Sequence, residues 1–329
     1  MAATVPPTPT PAGGVRPAVD EGFAPMLAFL ADPGLTPMSA LTPDAAREAF
    51  RALRGSEGEP VPVRSLDDRA VPGPGGDVTV RVAVPAAEAL TGVLVWFHGG
   101  GWVIGDLDTA EPTQRRLAHL ASCVVVSVDY RLAPEHPAPA GFDDCWAATT
   151  WVSDHLDVLG VPSGPIAVGG DSAGGNLAAL VALRAAAEGS PALALQALVY
   201  PATDLTMASP SIVENGEGYF LTADTMRWFT DHNLSGGIHP ADPSVSPLFA
   251  PDEALAGVAP ALVQVGGYDP LRDEGLAYGE KLAAAGVPTE VVEYPTMIHG
   301  FLAMSTFTPV ADEAASCIAD ALRAAFAEQ

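Results

Sequence analysis

One serine of this 329-residue chain sits among glycines, in the run AVGGDSAGGN from Ala167 to Asn176. Glycine is costly to order, so it marks places where the backbone takes positive φ or comes close to another group. The apolar run IAVGGD precedes Ser172 and the alanine-rich AGGNLAALVALRAAAEG follows it. That spacing predicts a strand, a sharp turn and a helix, with Ser172 at the apex. A side chain at 170 or 174 would clash at such a turn, and the serine itself is expected in strained φ/ψ. A hydroxyl held there can attack a carbonyl once a base takes its proton.

Seven histidines could supply the base. His299, in YPTMIHGF, follows a strand-like run and precedes the last helix, which puts it on the strand-end side of a sheet. His119 and His155 fall in helical patterns, while His232 and His239 bracket a loop that offers no further metal ligands. A histidine base needs an acid on its other ring nitrogen. Asp269, in VGGYDPLRDEG, stands just past a strand-like run. The competing Asp273, with Glu274, opens the next helix, where the macrodipole accounts for carboxylates. Asp269 is the expected partner.

The stretch FHGGGWVIGD (97–106) ends another strand in His98 and three glycines. Backbone N–H groups of such a loop, with that of Ala173, can converge on a developing oxyanion. The spacing lacks the helix start that a dinucleotide loop requires, and His98 is expected to brace the loop. Candidate pocket walls are Trp102, Tyr200, Tyr219, Phe220, Leu221, Met297, Ile298 and Phe301, each equally explained by core packing.

The elements that must position these residues alternate. Strands are expected at 93–98, 123–130, 166–171, 193–200, 260–267 and 289–295, and helices at 109–120, 140–155, 173–188, 273–285 and 310–327. Short apolar strands between amphipathic helices indicate an α/β fold, a mostly parallel sheet covered on both faces, with ligands at the carboxyl ends of the strands. Period-two runs at 61–66 and 77–85 predict paired strands. Residues 1–17 read as a flexible Pro/Thr-rich arm, 18–55 as helical and 56–329 as the main domain, with an irregular insert at about 202–250. In the helical region Phe23, Met26, Leu27 and Leu30 share a face, and Thr42-Pro43 forms an N-cap and N1 pair. These helices and the insert are expected to form a lid over the strand ends.

Fifteen Lys and Arg against 40 Asp and Glu give a net charge of −25, which disfavours nucleic acid and anionic membrane as partners. Lys281 is the single lysine, a bias that salt adaptation or GC-rich codon usage would explain. Cys123, Cys145 and Cys317 show no CxxC spacing and read as free buried thiols of a reducing compartment. No apolar run approaches the length of a membrane span, and the N-terminal residues lack signal-peptide character. The expectation is a cytoplasmic protein.

Five motifs in order, HGGGWVIGD, VVVSVDYRLAPEHPAPA, GGDSAGGNLAA, YDPLRDEG and YPTMIHGF, closely resemble those of the hormone-sensitive lipase-like esterases, the bacterial family IV carboxylesterases, in the branch with a GDSAG elbow. The resemblance runs from about residue 60 to the C-terminus. It implies an α/β-hydrolase fold with a helical cap, built from the N-terminal helices and the insert. It also implies Ser172 as nucleophile, His299 as base, Asp269 as orienting acid, and Gly99, Gly100 and Ala173 as oxyanion donors. Tyr130, Arg131 and Glu135 are expected in a structural loop, and Asp171 in a structural role. The implied substrates are small, short-chain esters, with no cofactor and no metal, and a homodimer is compatible with the family. Two other readings stay open, an amidase or formamidase with the same triad, and a small-molecule receptor of the same fold like the gibberellin receptors. The presence of His299 counts against the receptor.

Overall fold

The computed structural model describes residues 16–54 and 60–328. The sheet has eight strands in the order β1-β2-β4-β3-β5-β6-β7-β8. Their ranges are β1 Ser65–Gly73, β2 Gly76–Val84, β3 Val93–Phe97, β4 Val124–Asp129, β5 Ile166–Asp171, β6 Leu193–Val199, β7 Ala261–Tyr268 and β8 Thr289–Ile298. β1 pairs antiparallel with β2, and β2 antiparallel with β4. From β4 to β8 every pairing is parallel.

The near-continuous apolar strands are buried on both faces, and their alternation divides the core in two. Val93, Val95 and Phe97 of β3 face one side with Val124, Val126 and Val128 of β4. That side is covered by α4 (Ala140–Asp154), α5 (Ala173–Glu188) and α8 (Arg272–Ala284), through residues such as Val152, Leu177 and Leu282. Leu94 and Trp96 face the other side, covered by α3 (Leu107–Ala121) and α9 (Val310–Ala327) through Leu117, Ile318 and Leu322. The mostly parallel, doubly covered sheet is as the sequence predicts.

Two elements differ. The first hairpin strand starts at Ser65 and runs to Gly73, later than the apolar VPVRSL suggests. It is an edge strand exposing Asp67 and Asp68, so the period-two signal is faint where the strand lies. The N-terminal region is two short helices, α1 (Ala24–Leu30) and α2 (Pro43–Arg54), with a break around Pro33-Gly34. The Thr42 side chain accepts from the Ala45 N–H at 3.3 Å, capping α2 as predicted. The insert contributes α6 (Pro210–Asn215) and α7 (Ala223–Asn233), and it closes with two 3-10 turns before β7. Lys281 of α8 ties down its end by donating to the carbonyls of Leu248 and Ala250. Most of the predicted arm, residues 1–15, lies outside the described residues; Arg16 is held against Asn215 at the end of α6 and Pro17 against Tyr268 at the end of β7.

Candidate active site

Ser172 joins β5 to α5 with φ 57° and ψ −118°. For a residue other than glycine, such a backbone costs about 1–3 kcal/mol and persists only where its surroundings impose it. Here they do. A Cβ at Gly174 would lie 1.9 Å from the Phe97 carbonyl oxygen, and one at Gly170 would lie 2.4 Å from the Gly174 backbone. The glycines let β5 and α5 close around the serine, as the motif requires.

His299 follows the end of β8, with Gly300 at φ 80° turning the chain behind it. Its Nδ1 lies 2.7 Å from Asp269 Oδ2 and its Nε2 3.0 Å from Ser172 Oγ. A carboxylate only accepts, so the first bond places a proton on Nδ1 and leaves the Nε2 lone pair facing the serine hydroxyl. Asp269 is fully buried, and its Oδ1 accepts from the Leu271 N–H at 2.7 Å. The alternative acid is engaged elsewhere: Asp273 accepts from the Ser211 N–H and from Arg272, both at 2.8 Å.

The glycine loop after β3 faces the serine. Gly99 corrects one expectation: its N–H donates to Asp171 Oδ1 at 3.0 Å, so it is not available to an oxyanion. Asp171, beside the nucleophile, thus pins the loop. Among the described residues no hydrogen bond occupies the N–H groups of Gly100, Gly101 or Ala173. Gly100 and Gly101 both take positive φ, 125° and 57°, which turns this part of the loop. His98 braces it as predicted, with Nδ1 2.8 Å from the Gly99 carbonyl and its ring stacked 4.3 Å from that of Tyr130. The Tyr130 hydroxyl donates to the His98 carbonyl at 2.8 Å. Arg131 pairs with Asp144 of α4, and Glu135 with Arg47 of α2, which holds the Glu135 carboxyl down at about 2. Ser172, His299 and the loop open into a cavity of about 720 Å³.

A family model described as alpha/beta hydrolase fold matches residues 94–303, well over half of the chain. The chain belongs to the α/β-hydrolase family. Carboxylic ester hydrolase LipN of Mycobacterium tuberculosis is 44% identical over 266 residues, 78% of this chain and 70% of that protein. Esterase LipI of the same organism is 44% identical over 83% of this chain and 87% of its own. A solved α/β-hydrolase enzyme from the metagenome of Lake Arreo, Spain, superposes with a TM-score of 0.89 at 37% identity, over 94% of this chain and 99% of that one. The chain is a carboxylic ester hydrolase of the hormone-sensitive lipase-like group.

The cavity of this hydrolase separates the predicted wall residues into two sets. Trp102, Tyr200, Tyr219, Phe220 and Leu221 line it. Met297, Ile298 and Phe301 do not: all three are fully buried in the core on the α3–α9 side. The Phe301 ring packs 5.4 Å from that of Tyr200 and 5.1 Å from that of Tyr294, behind the cavity wall. Tyr200 in turn sets its ring 4.7 Å from the His299 imidazole.

The sequence does not mark other wall residues as such, including Leu27 and Leu30 of α1, Phe50 of α2 and Met226 of α7. The shared face of Leu27 and Leu30 was the available signal, but an apolar helical face does not say whether it meets core or cavity. Glu274 is the other surprise. It sits in the first turn of α8 as the sequence indicates, but it is buried, lines the cavity, and accepts from the Thr203 N–H at 2.8 Å and the Asp204 N–H at 3.1 Å. Burial pushes its carboxyl well above the usual range.

Proposed function

We propose that this hydrolase is a serine carboxylesterase acting on small, short-chain esters through Ser172, His299 and Asp269. The observation that carries the reading is the unbroken hydrogen-bonded chain Asp269–His299–Ser172 at the floor of an apolar cavity. His299 Nε2 takes the Ser172 proton as Oγ attacks the ester carbonyl, and Asp269 stabilises the imidazolium that results. The N–H groups of Gly100, Gly101 and Ala173 receive the oxyanion. The alcohol leaves with the proton returned from His299, and water repeats the sequence on the acyl-enzyme. α1, α2 and the insert serve as a helical cap, and the free cysteines suit a reducing, cytoplasmic setting.

Hydrolysis of p-nitrophenyl esters from acetate to palmitate, wild type beside Ser172→Ala, tests this. Turnover should peak at short chains and fall in the variant by about a million-fold in kcat. A folded wild type that hydrolyses no ester, or a Ser172→Ala variant that keeps its rate, sinks the reading.

A further inference from the structure

The triad acid is positioned by more than its own side chain. Gly267 and Tyr268 end β7 and Asp269 leads from it toward α8, and each is gripped by other elements. The Gly267 carbonyl accepts from Arg16, from Arg272 Nη1 at 3.2 Å and from Asn215 Nδ2 at 3.3 Å. The Tyr268 ring lies beneath the Arg16 guanidinium, 3.5 Å from centroid to carbon, and its hydroxyl donates to the Pro17 carbonyl at 2.6 Å. The Asp269 carbonyl accepts from Asn215 Nδ2 at 3.0 Å.

Asn215 ends α6 and is fully buried. Its Oδ1 accepts from Arg16 Nη2 at 2.9 Å. Arginine only donates and a carbonyl only accepts, so these partners allow one orientation of the amide, with oxygen toward Arg16 and nitrogen toward Gly267 and Asp269. Arg16 is held in turn by Glu214, at 2.9 Å from Nη1, whose other oxygen takes Arg272 at 2.7 Å. One planar fork thus spans Glu214, Asn215 and Gly267 while stacking on Tyr268, a set of contacts that a lysine cannot reproduce.

We propose that Arg16 and Asn215 are positioning residues for the ester hydrolysis. Arg16 orients the Asn215 amide, and the amide fixes the backbone of Asp269 so that its carboxylate meets His299 Nδ1. The proposal rests on the triad assigned above. It makes a segment some 250 residues away in sequence part of the machinery that aims the base.

The test is steady-state hydrolysis of p-nitrophenyl butyrate by full-length Arg16→Ala, Asn215→Ala, the double variant and Arg16→Lys, with melting curves for each. Arg16→Ala should lower kcat by about ten-fold or more with KM within about two-fold of wild type, as expected for a misaimed catalytic group. Asn215→Ala should lose at least as much. The double variant should lose less than the product of the two single losses, because Arg16 acts in part through Asn215. Arg16→Lys should recover only part of the loss. A folded Arg16→Ala with wild-type kcat overturns the proposal, as do additive losses or full recovery by lysine. If Asn215→Ala does not fold, Arg16→Ala and Arg16→Lys decide alone. Ser172→Ala runs alongside: if it is inactive while Arg16→Ala is normal, the relay is wrong and the triad stands.

Discussion

The floor of the cavity and its wall are held by different kinds of contact. The floor is strand ends and backbone: Ser172 is locked by the close approach of Gly170, Gly174 and Phe97, and Asp269 and His299 by buried hydrogen bonds. The wall from α1 and α2 is attached by side chains. Arg47 reaches the Val103 carbonyl at 2.9 Å, the Ala133 carbonyl at 3.0 Å and Glu135 at 2.6 Å, and Arg51 pairs with Asp106. Three wall residues, Phe29, Leu35 and Leu53, remain 38–59% exposed. Backbone packing tolerates almost no change, whereas half-exposed ion pairs and apolar surface tolerate a good deal. On the proposed triad, the chemistry would rest on the rigid part and substrate choice on the part that can vary.

Changes on the floor should be the costly ones. Asp269→Asn keeps the shape but favours the wrong His299 tautomer, and should lower kcat by about ten-thousand-fold in ester hydrolysis. On the wall, Phe50→Ala enlarges the cavity without touching the triad. It should change the ratio of kcat/KM between butyrate and octanoate esters by about ten-fold, toward the longer chain, with little loss of the best rate. An equal loss on every chain length would mean that α2 supports the floor after all, and the distinction would fail.

Glu274 lines the cavity from α8 and holds the start of the insert through the Thr203 and Asp204 N–H groups. Its carboxyl is raised by burial, so the folded protein keeps a proton that the unfolded chain gives up near the usual carboxylate value. The stability linked to that proton is complete below the unfolded value and is lost as pH rises toward the folded one. Glu274→Gln is neutral throughout and should gain on the order of 1 kcal/mol at pH 8 relative to pH 4.5, about one to two degrees in Tm for a chain of this length. A smaller effect is expected at the ties of the wall. Glu135→Gln should cost within about 1 kcal/mol in thermal unfolding and leave kcat unchanged, since the Glu135 side chain is half exposed.

The legible and illegible parts of the sequence follow the same division. The hydrogen-bonded grouping of Ser172, Asp269 and His299 could be read because a turn needs its glycines and a hydroxyl needs a base and an acid to become a nucleophile. The parallel sheet could be read because strands buried on both faces are apolar throughout. The role of Gly99 is not legible, because three consecutive glycines do not reveal which N–H a neighbouring carboxylate takes. The places of Met297, Ile298 and Phe301 are not legible, because an apolar side chain beside His299 looks the same whether it meets the cavity or packs behind it. The relay from Arg16 left no local signal, since its partners are about 200 and 250 residues away.

The tie made by Lys281 has a practical consequence. Coupling a protein to a solid support through its amines ordinarily samples many scattered positions, most of them harmless. Here the chain offers one lysine side chain, already spent on the carbonyls of Leu248 and Ala250. An acylating reagent that captures it removes the positive charge and unfastens the insert from α8. Attachment through an added tag or an introduced surface cysteine would leave that fastening intact.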